Sequence, residues 1–413
     1  MSKIPKLRFK EFSGEWESKK LGELLEFKNG INASKEQYGH GKKFINVLDI
    51  LNNDYITHEN IIGKVDIDDD TFEKYSVGYG DVVFQRSSET REEVGTANIY
   101  LDKEHKATFG GFIIRGKKVG EYSPIFMNKL LKTSSSRKEI TSKSGGSTRY
   151  NVGQETLSEV SLLFPKLEEQ EKIASFFSLI DDKISLQSGK IEALKDYKKG
   201  MMQKIFTREL RFKDDEGRDY PEWEEKKLGE CIENKGGTAL EKFVDKNGTH
   251  KFISIGNYST DGKYIDTGQR ISLNEKTKDK LLYKGDLVMV LNDKTSTGDL
   301  IGSTILIDED DTYIYNQRSE RLICNENIHS NFAWIILNYE GFRKRVFSIA
   351  QGGTQIYVNF SSLKELKIEL PRLKEQCKIS KFILSIDAKL EREQEKLDSL
   401  NEYKKGLLQQ MFV

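Results

Sequence analysis

An internal repeat constrains the architecture of this chain more than any other feature. The segment 165–206 aligns without a gap on the segment 371–412, with about 18 of 42 positions identical. A second repeat opens each half, where the tetrapeptide LRFK at 7–10 recurs at 210–213 and Trp16 recurs as Trp223. The sequence therefore predicts a globule at 1–164, a spacer helix at 165–206, a second globule at 207–370 and a second spacer helix at 371–413.

Each repeated segment carries apolar residues spaced alternately by four and three. In the first segment they are Ile173, Phe177, Ile180, Ile184, Ile191, Leu194, Met201 and Ile205. In the second they are Ile379, Ile383, Ile386, Leu390, Leu397, Leu400, Leu407 and Met411. A period of 3.5 residues sustained over this length is typical of a coiled coil. Pro165 and Pro371 suit the starts of the two helices.

A single apolar stripe needs a partner that covers it. Because the chain carries two matching stripes, the simplest arrangement pairs the two helices with each other. The stripes themselves leave parallel and antiparallel pairing open, and antiparallel pairing would place the globules at opposite ends under an approximate two-fold axis. The alternative is a helix packed against its own globule, which charged residues at most other positions disfavour.

Length and charge narrow the class of protein. A chain of 413 residues exceeds one ordinary core, so two domains of about 160 residues plus helices are expected. Its 66 Lys and Arg balance its 66 Asp and Glu, so a nucleic-acid partner would have to contact local patches. An acidic run at 49–73 and a basic run at 115–149 provide this polarity, although each run is equally well explained as a solvated face. Three widely spaced cysteines, and no long apolar stretch, predict a soluble cytoplasmic protein.

Both globules are predicted to be mixed α/β. Strand-like runs at 44–48 and 80–84 match runs at 252–256 and 285–289. Further apolar runs at 112–114 and 321–323 lead into predicted helices at 126–131 and 332–337. Similarity is otherwise low, as expected if the two halves bind different versions of one kind of ligand.

Two loops in each half have residue types suited to DNA. The candidates in the first half are Arg86, Ser87, Ser88, Arg91, Gly145, Gly146, Ser147, Thr148, Arg149 and Tyr150. The candidates in the second half are Asn292, Lys294, Thr295, Gly352, Gly353, Thr354, Gln355 and Tyr357. Glycine lets backbone N–H groups approach phosphates, and these polar side chains can reach phosphates or base edges. An ordinary glycine turn with exposed polar residues is the alternative.

The sequence contains no motif for catalysis or metal binding. None of its five prolines is followed by Asp, which excludes the strict PD…(D/E)xK nuclease pattern, and no Asn-Pro-Pro-Tyr tetrapeptide or phosphate-binding P-loop occurs. Its five histidines show neither HExxH nor Cys/His spacing. We therefore predict no catalytic residue, no metal and no cofactor in this chain, so that any catalysis comes from partners.

Taken together, these motifs resemble the specificity subunit of type I restriction-modification systems. The resemblance rests on Pro-x-Leu-x-Glu-Gln-x-Lys-Ile at 165–173 and 371–379, on Tyr-Lys-Lys-Gly at 197–200 and 403–406, and on the Trp-x-x-x-Lys-Leu-Gly openings. It implies two α/β target-recognition domains, each reading half of a split double-stranded DNA sequence, separated by two long conserved helices that pair as an antiparallel coiled coil with pseudo-two-fold symmetry.

The same resemblance implies partners that supply the chemistry. Two modification subunits would carry S-adenosylmethionine and methylate adenine, and restriction subunits would use ATP and Mg²⁺ for translocation and cleavage. The base contacts do not transfer, because target domains of this family differ strongly on their reading surface. A second class of function stays open, a non-catalytic duplicated coiled-coil scaffold that binds protein or carbohydrate and no DNA.

Overall fold

The computed structural model describes residues 3–146, 148–294 and 297–413. It divides into two compact units, Met1–Gly189 with Gln394–Val413, and Lys190–Glu393. Each unit therefore combines one globule with part of each long helix. The domain boundaries predicted from the sequence stay a prediction, since these units divide both helices.

The first unit contains two sheets, a closing strand pair and a two-stranded ribbon. Its strands are β1 (Glu17–Lys20), β2 (Leu25–Asn29), β3 (Tyr38–Ile45), β4 (Lys64–Val65), β5 (Val82–Gln85), β6 (Ser87–Ser88), β7 (Ala97–Ile99), β8 (Thr108–Phe109), β9 (Ile113–Lys118), β10 (Tyr150–Asn151) and β11 (Ser161–Phe164). Its helices are α1 (Leu21–Leu24), α2 (Val47–Asn52), α3 (Asp69–Lys74), α4 (Pro124–Leu131), α5 (Ser134–Ser142), α6 (Gln154–Ser158) and the first part of α7 (Leu167–Phe206), with a 3-10 turn at Lys35–Gln37. The sheets have the strand orders β2-β9-β5-β7 and β4-β3-β8, and β1 pairs with β11.

The second unit repeats this plan. Its strands are β12 (Glu224–Lys227), β13 (Ile232–Gly236), β14 (His250–Ile253), β15 (Arg270–Ile271), β16 (Leu287–Val290), β17 (Asn292–Asp293), β18 (Thr304–Leu306), β19 (Tyr313–Tyr315), β20 (Ser319–Cys324), β21 (Ile356–Tyr357) and β22 (Lys367–Leu370). Its helices are α8 (Ser330–Asn338), α9 (Glu340–Ser348), α10 (Phe360–Lys364) and part of α11 (Leu373–Met411), with 3-10 turns at Leu228–Glu230, Glu241–Phe243, Ile255–Asn257 and Lys278–Lys280. The strand orders β13-β20-β16-β18, β15-β14-β19 and β12-β22 match those of the first unit. The predicted duplicated α/β fold is confirmed.

The strands β5 and β16 are buried on both faces, and apart from Gln85 at the end of β5 all of their residues are apolar. Alternate residues of a strand point to opposite faces. Val82 belongs to the core that includes α4 and the long helices, whereas Val83 belongs to a second core against the three-stranded sheet. Leu287 and Val288 divide in the same way in the second unit.

The strands predicted at 44–48 and 252–256 end earlier than expected. β3 ends at Ile45 because the Asp49 carboxylate accepts the backbone N–H of Asn46 at 2.7 Å and starts α2. β14 ends at Ile253, and there the Asn257 side chain accepts the backbone N–H of Ser254 at 3.0 Å. Such side-chain to backbone bonds compete with strand pairing.

The long helices run antiparallel within each unit. In the second unit Lys190 pairs with Glu393 at 2.9 Å and Lys198 with Asp387 at 2.6 Å, so the numbering rises along α7 while it falls along α11. In the first unit Lys404 pairs with Asp181 at 2.7 Å. Further along the same helices, the ring centroids of Phe412 and Phe177 lie 6.0 Å apart, so the numbering again rises along one helix while it falls along the other. Antiparallel pairing, which the stripes left open, is thus the arrangement in each unit.

The predicted stripes are buried, and their ends also enter the globule cores. The fully buried members are Ile173, Phe177, Ile180, Ile191, Ile205, Ile379, Ile383, Ile386, Leu407 and Met411. The half-buried members are Ile184, Leu194, Met201, Leu390, Leu397 and Leu400. Next to these ends, Phe412 stacks on Phe126 and Phe206 stacks on Tyr339. Packing against a globule, raised as an alternative to helix pairing, therefore occurs together with it.

The repeated Glu-Gln motif joins each helix start to its globule. The Arg8 guanidinium donates two bonds of 2.7 and 2.8 Å to the buried Glu169 carboxylate. Arg211 donates two bonds of 2.9 and 3.1 Å to Glu375, which is also buried. Bidentate arginine–carboxylate pairs are geometrically specific. This structural role explains why the LRFK opening and the Glu-Gln motif recur together.

Candidate nucleic-acid interface

The two candidate loops of the first globule meet in one ribbon. β6 pairs antiparallel with β10, with Ser87 opposite Asn151 and Ser88 opposite Tyr150. The Ser87 hydroxyl donates to the Asn151 side-chain oxygen at 2.5 Å. A bridge between Gly145 and Asn151 closes the loop. Segments that are distant in the sequence therefore form one surface.

The second globule contains the same ribbon. β17 pairs antiparallel with β21, with Asn292 opposite Tyr357 and Asp293 opposite Ile356. A bridge between Gln351 and Tyr357 closes this loop. The Tyr357 hydroxyl donates to the Gln351 side chain at 3.1 Å. The recurrence of the loops, inferred from sequence, extends to their strand pairing.

Strand register aligns the two loops residue by residue. Because Asn151 and Tyr357 close equivalent bridges, Gly146 corresponds to Gly352 and Arg149 to Gln355. Both glycines have a positive φ, 110° and 103°, and a Cβ at either would lie 2.0 Å from a backbone carbonyl oxygen. Glycine adopts this conformation without steric cost. Only one glycine of each Gly-Gly pair is therefore required by the turn, since a Cβ on the other would meet nothing within 4 Å.

Most of the candidate residues are exposed to solvent. The exposed candidates are Arg86, Arg91, Gly145, Gly146, Thr148, Arg149, Lys294, Gly352, Gly353, Thr354, Gln355 and Tyr357, and the half-buried ones are Ser87, Tyr150 and Asn292. Ser88 is buried, accepts the backbone N–H of Thr90 and donates to Glu93, so it shapes its own loop. Ser147 and Thr295 lie outside the described residues.

A partly buried arginine holds the loop that follows the first strand of each ribbon. Arg137 on α5 donates to the carbonyl oxygens of residues 92, 94 and 95 at 2.6 to 2.8 Å. Arg343 on α9 donates to those of residues 260, 299 and 301 at 2.6 to 3.3 Å. Burial lowers the pKa of both guanidinium groups. These arginines are therefore positioning residues for the loops beside the ribbons.

The basic run at 115–149 is not one continuous exposed patch. Arg115 is buried and donates to the Ser76 carbonyl. Lys129 is buried and pairs with Asp181 at 2.5 Å. Arg137 is also engaged, and the Lys132 ammonium donates to the Asp54 carbonyl at 2.5 Å. The remaining exposed cations of this run are Lys117, Lys138, Lys143 and Arg149.

A third segment, which sequence reasoning missed, lies against each ribbon. The Phe112 carbonyl accepts the backbone N–H of Arg86 at 2.8 Å, and the Arg318 carbonyl accepts that of Leu291 at 2.9 Å. We call Phe112 and Arg318 the apex residues. The segments Gly-Gly-Phe and Asn-Gln-Arg share no residue, so in the sequence only the strand that follows each of them indicates that they are equivalent.

Within residues 3–146, 148–294 and 297–413, no group of three or more His, Cys, Asp or Glu side chains could hold a metal ion. No helix within the same ranges is long and apolar enough to cross a membrane.

Comparison with known proteins identifies the family of this duplicated fold. The family model described as Type I restriction modification DNA specificity domain matches twice, at residues 13–196 and 220–402. The chain therefore belongs to this family. The resemblance inferred from the repeated motifs is confirmed.

Curated relatives carry corresponding names. The type I restriction enzyme MjaVIII specificity subunit of Methanocaldococcus jannaschii is 30% identical, and the match spans 65% of this chain and 65% of that relative. The putative MjaX specificity subunit of the same organism is 24% identical over 96% of this chain and 93% of the relative. The StySPI specificity subunit of Salmonella potsdam is 23% identical over 88% of this chain and 80% of the relative.

Solved structures share the fold. The S subunit of a type I restriction-modification system from M. genitalium has a TM-score of 0.56 and 17% identity, with 99% of both chains covered. A chain from a structure of type I R-M complex assembly and conformational transition has a TM-score of 0.59 and 15% identity, with 96% and 97% covered.

Proposed function

We propose that this chain is the DNA-recognition subunit of a type I restriction-modification enzyme and reads its target in two parts, one with each globule. The supporting observation is the duplicated ribbon, whose backbone pairing is the same in both units while Arg149 stands where the other unit has Gln355. Arginine forms bidentate bonds with guanine and glutamine forms them with adenine in the major groove. One scaffold with two different reading side chains suits two different half-sites.

Partner subunits would supply the chemistry. Two modification subunits carrying S-adenosylmethionine would methylate adenine, and restriction subunits using ATP and Mg²⁺ would translocate and cut DNA in the cytoplasm. Methylation requires the base to leave the stack. This chain would accordingly hold the double-stranded DNA while a partner extracts the base, and would itself be non-catalytic.

Reconstitution tests this proposal. The full chain would be purified alone and together with the modification subunits encoded beside it, and each preparation would be assayed for gel shift and methyl transfer on random duplex DNA. We expect sequence-selective binding and methylation by the complex and no methylation by the chain alone. Methyl transfer by a verified single-chain preparation would contradict the proposal. A complex that does not bind DNA would also contradict it and would favour a scaffold that binds protein or carbohydrate.

A further inference from the structure

The backbone beneath the two apex residues is packed in the same way in both units. A Cβ on Gly30 would lie 2.1 Å from the carbonyl oxygen of Gly110, and a Cβ on Gly237 would lie 1.9 Å from that of Asn316. In each unit the glycine directly after a neighbouring strand, β2 or β13, therefore leaves the space that the apex segment occupies. The equivalence of the apex residues therefore rests on two independent contacts, these glycines and the bond to the ribbon strand.

In the first unit the apex presents an apolar ring from a fixed backbone. Phe112 is 66% exposed. Two residues earlier, the backbone N–H of Gly110 donates to Ile45 at 3.1 Å, and its carbonyl accepts from Ile113 at 2.9 Å. A Cβ on Gly111 would lie 1.9 Å from the side-chain oxygen of Asn32. The exposed ring is therefore carried by a tightly packed backbone segment beside β6.

In the second unit the apex is a conformationally strained arginine. Arg318 is exposed and has a φ of 70°, in the left-handed region that L side chains other than Asn and Asp seldom adopt. The Asn316 side chain accepts the N–H of Leu240 at 3.0 Å, and Asn316 and Gln317 both donate to Glu241 at 2.9 Å. Strained residues persist where the surrounding structure fixes them, and they cluster at binding sites.

The surroundings of Arg318 belong to the same surface as the ribbon. Arg318 lines an open concavity together with Lys294, Gln269 and Gln317. Lys294 directly follows β17, the ribbon strand whose preceding residue Leu291 donates to the Arg318 carbonyl. The apex side chain thus starts beside the side chains already considered for DNA contact.

We propose that the apex residue is a specificity-determining contact in each globule, with Phe112 packing on a thymine methyl group and Arg318 donating its guanidinium fork to a guanine. This inference rests on the proposed function and names residues within it. Apolar contact with the thymine methyl and the arginine–guanine fork are both established ways of reading the major groove. Different side chains at one structural position are what two different half-sites require.

The test uses the full-length chain assembled with its modification subunits and a duplex library randomised within the target. Selected and methylated sequences would be counted for the wild type, Phe112→Ala and Arg318→Gly. Glycine accepts the φ of residue 318 without strain, so the second variant removes the side chain and preserves the backbone. We expect each variant to lose about 10- to 100-fold discrimination at one base pair of one half-site, a T·A pair for Phe112 and a G·C pair for Arg318.

Internal and matched controls separate this effect from misfolding. The half-site read by the unmodified globule must keep its selectivity in each variant. Val119→Ala removes another exposed apolar side chain, 59% exposed and just beyond the opposite end of β9, and should leave selectivity unchanged. Arg318→Lys keeps the charge without the fork and should not restore the guanine preference.

Three results would overturn the assignment. Variants that keep wild-type selectivity would remove the apex residues from the reading surface. A uniform loss on all sequences, with a salt slope lower by about one, would make Arg318 a phosphate contact. A wild-type complex without any sequence preference would overturn the proposed function itself, and the apex assignment with it.

Discussion

At the scale of single residues, the most informative position is the one occupied by Arg149 in one unit and Gln355 in the other. Both are exposed and both precede the second strand of a ribbon by the same number of residues. A side chain of this kind can read a base edge or bind a phosphate. Its contribution to binding depends on the DNA sequence in the first role but not in the second.

We expect Arg149→Ala and Gln355→Ala each to weaken binding of the assembled methyltransferase to its own target by about 1 to 3 kcal/mol if the side chain reads a base edge. Fluorescence anisotropy on matched and mismatched duplexes measures this, with the exposed Gln203→Ala on α7 as control. Binding unchanged within error in both variants would remove these residues from the candidate site.

The Asp181 carboxylate forms ion pairs with two lysines, Lys129 and Lys404. Burial raises the pKa of this carboxyl, but the hydrogen bond from Lys129 and the ion pair with Lys404 outweigh burial, so its pKa lies below the ordinary value of 3.8. A lowered pKa in the folded state means that the carboxylate stabilises the protein above pH 3.8, and that this contribution is lost as the pH falls through the lowered pKa.

Asp181→Asn should accordingly reduce the free energy of unfolding at pH 7 by about 1 to 3 kcal/mol. This lies between the losses expected for breaking an exposed salt bridge and for breaking a fully buried one. The difference from wild type should shrink below about pH 4. Urea unfolding at both pH values measures it, and Asp182→Asn, at an exposed neighbour, should have little effect. An equal loss at both pH values would show that the ion pairs are not the cause.

At the scale of elements, each ribbon depends on a turn that only glycine fits without strain. Gly352→Ala would force a Cβ to within 2.0 Å of the Gln355 carbonyl, whereas a Cβ at Gly353 has open space around it. We expect Gly352→Ala to weaken target binding at least about tenfold, equivalent to about 1.4 kcal/mol, and to lower the free energy of unfolding by about 1 kcal/mol because alanine is strained at this φ. Gly353→Ala should change neither quantity, and equal behaviour of the two variants would contradict the assigned turn.

The elements also show where sequence reasoning succeeds and where it stops. The long helices and their stripes were predictable because a 3.5-residue period survives in the sequence. Their direction was not, because it depends on pairs such as Lys198 with Asp387, whose partners are far apart in the chain. The ribbon strands are two residues long, and the apex segments share no residues, so only tertiary hydrogen bonds reveal that these loops form one surface.

At the scale of the whole molecule, the duplication predicts that half the chain can replace the other half in helix pairing. Lys198 meets Asp387 within the second unit, and Asp387 is the repeat equivalent of Asp181. A fragment of residues 1–206 should therefore form a two-fold dimer in which Lys198 of each copy meets Asp181 of the other. Light scattering after size exclusion measures this, and a fragment that stays monomeric at all concentrations would count against exchangeable halves.

We propose that one chain reads two half-sites, one with each globule. Methylome sequencing of a host that expresses the modification subunits tests it most directly, with either the wild-type chain or a chain whose residues 23–164 come from another family member. We predict a methylated motif in two parts separated by unspecified bases, of which the exchange alters one part and leaves the other. A single uninterrupted motif, or a change in both parts after the exchange, would contradict the claim.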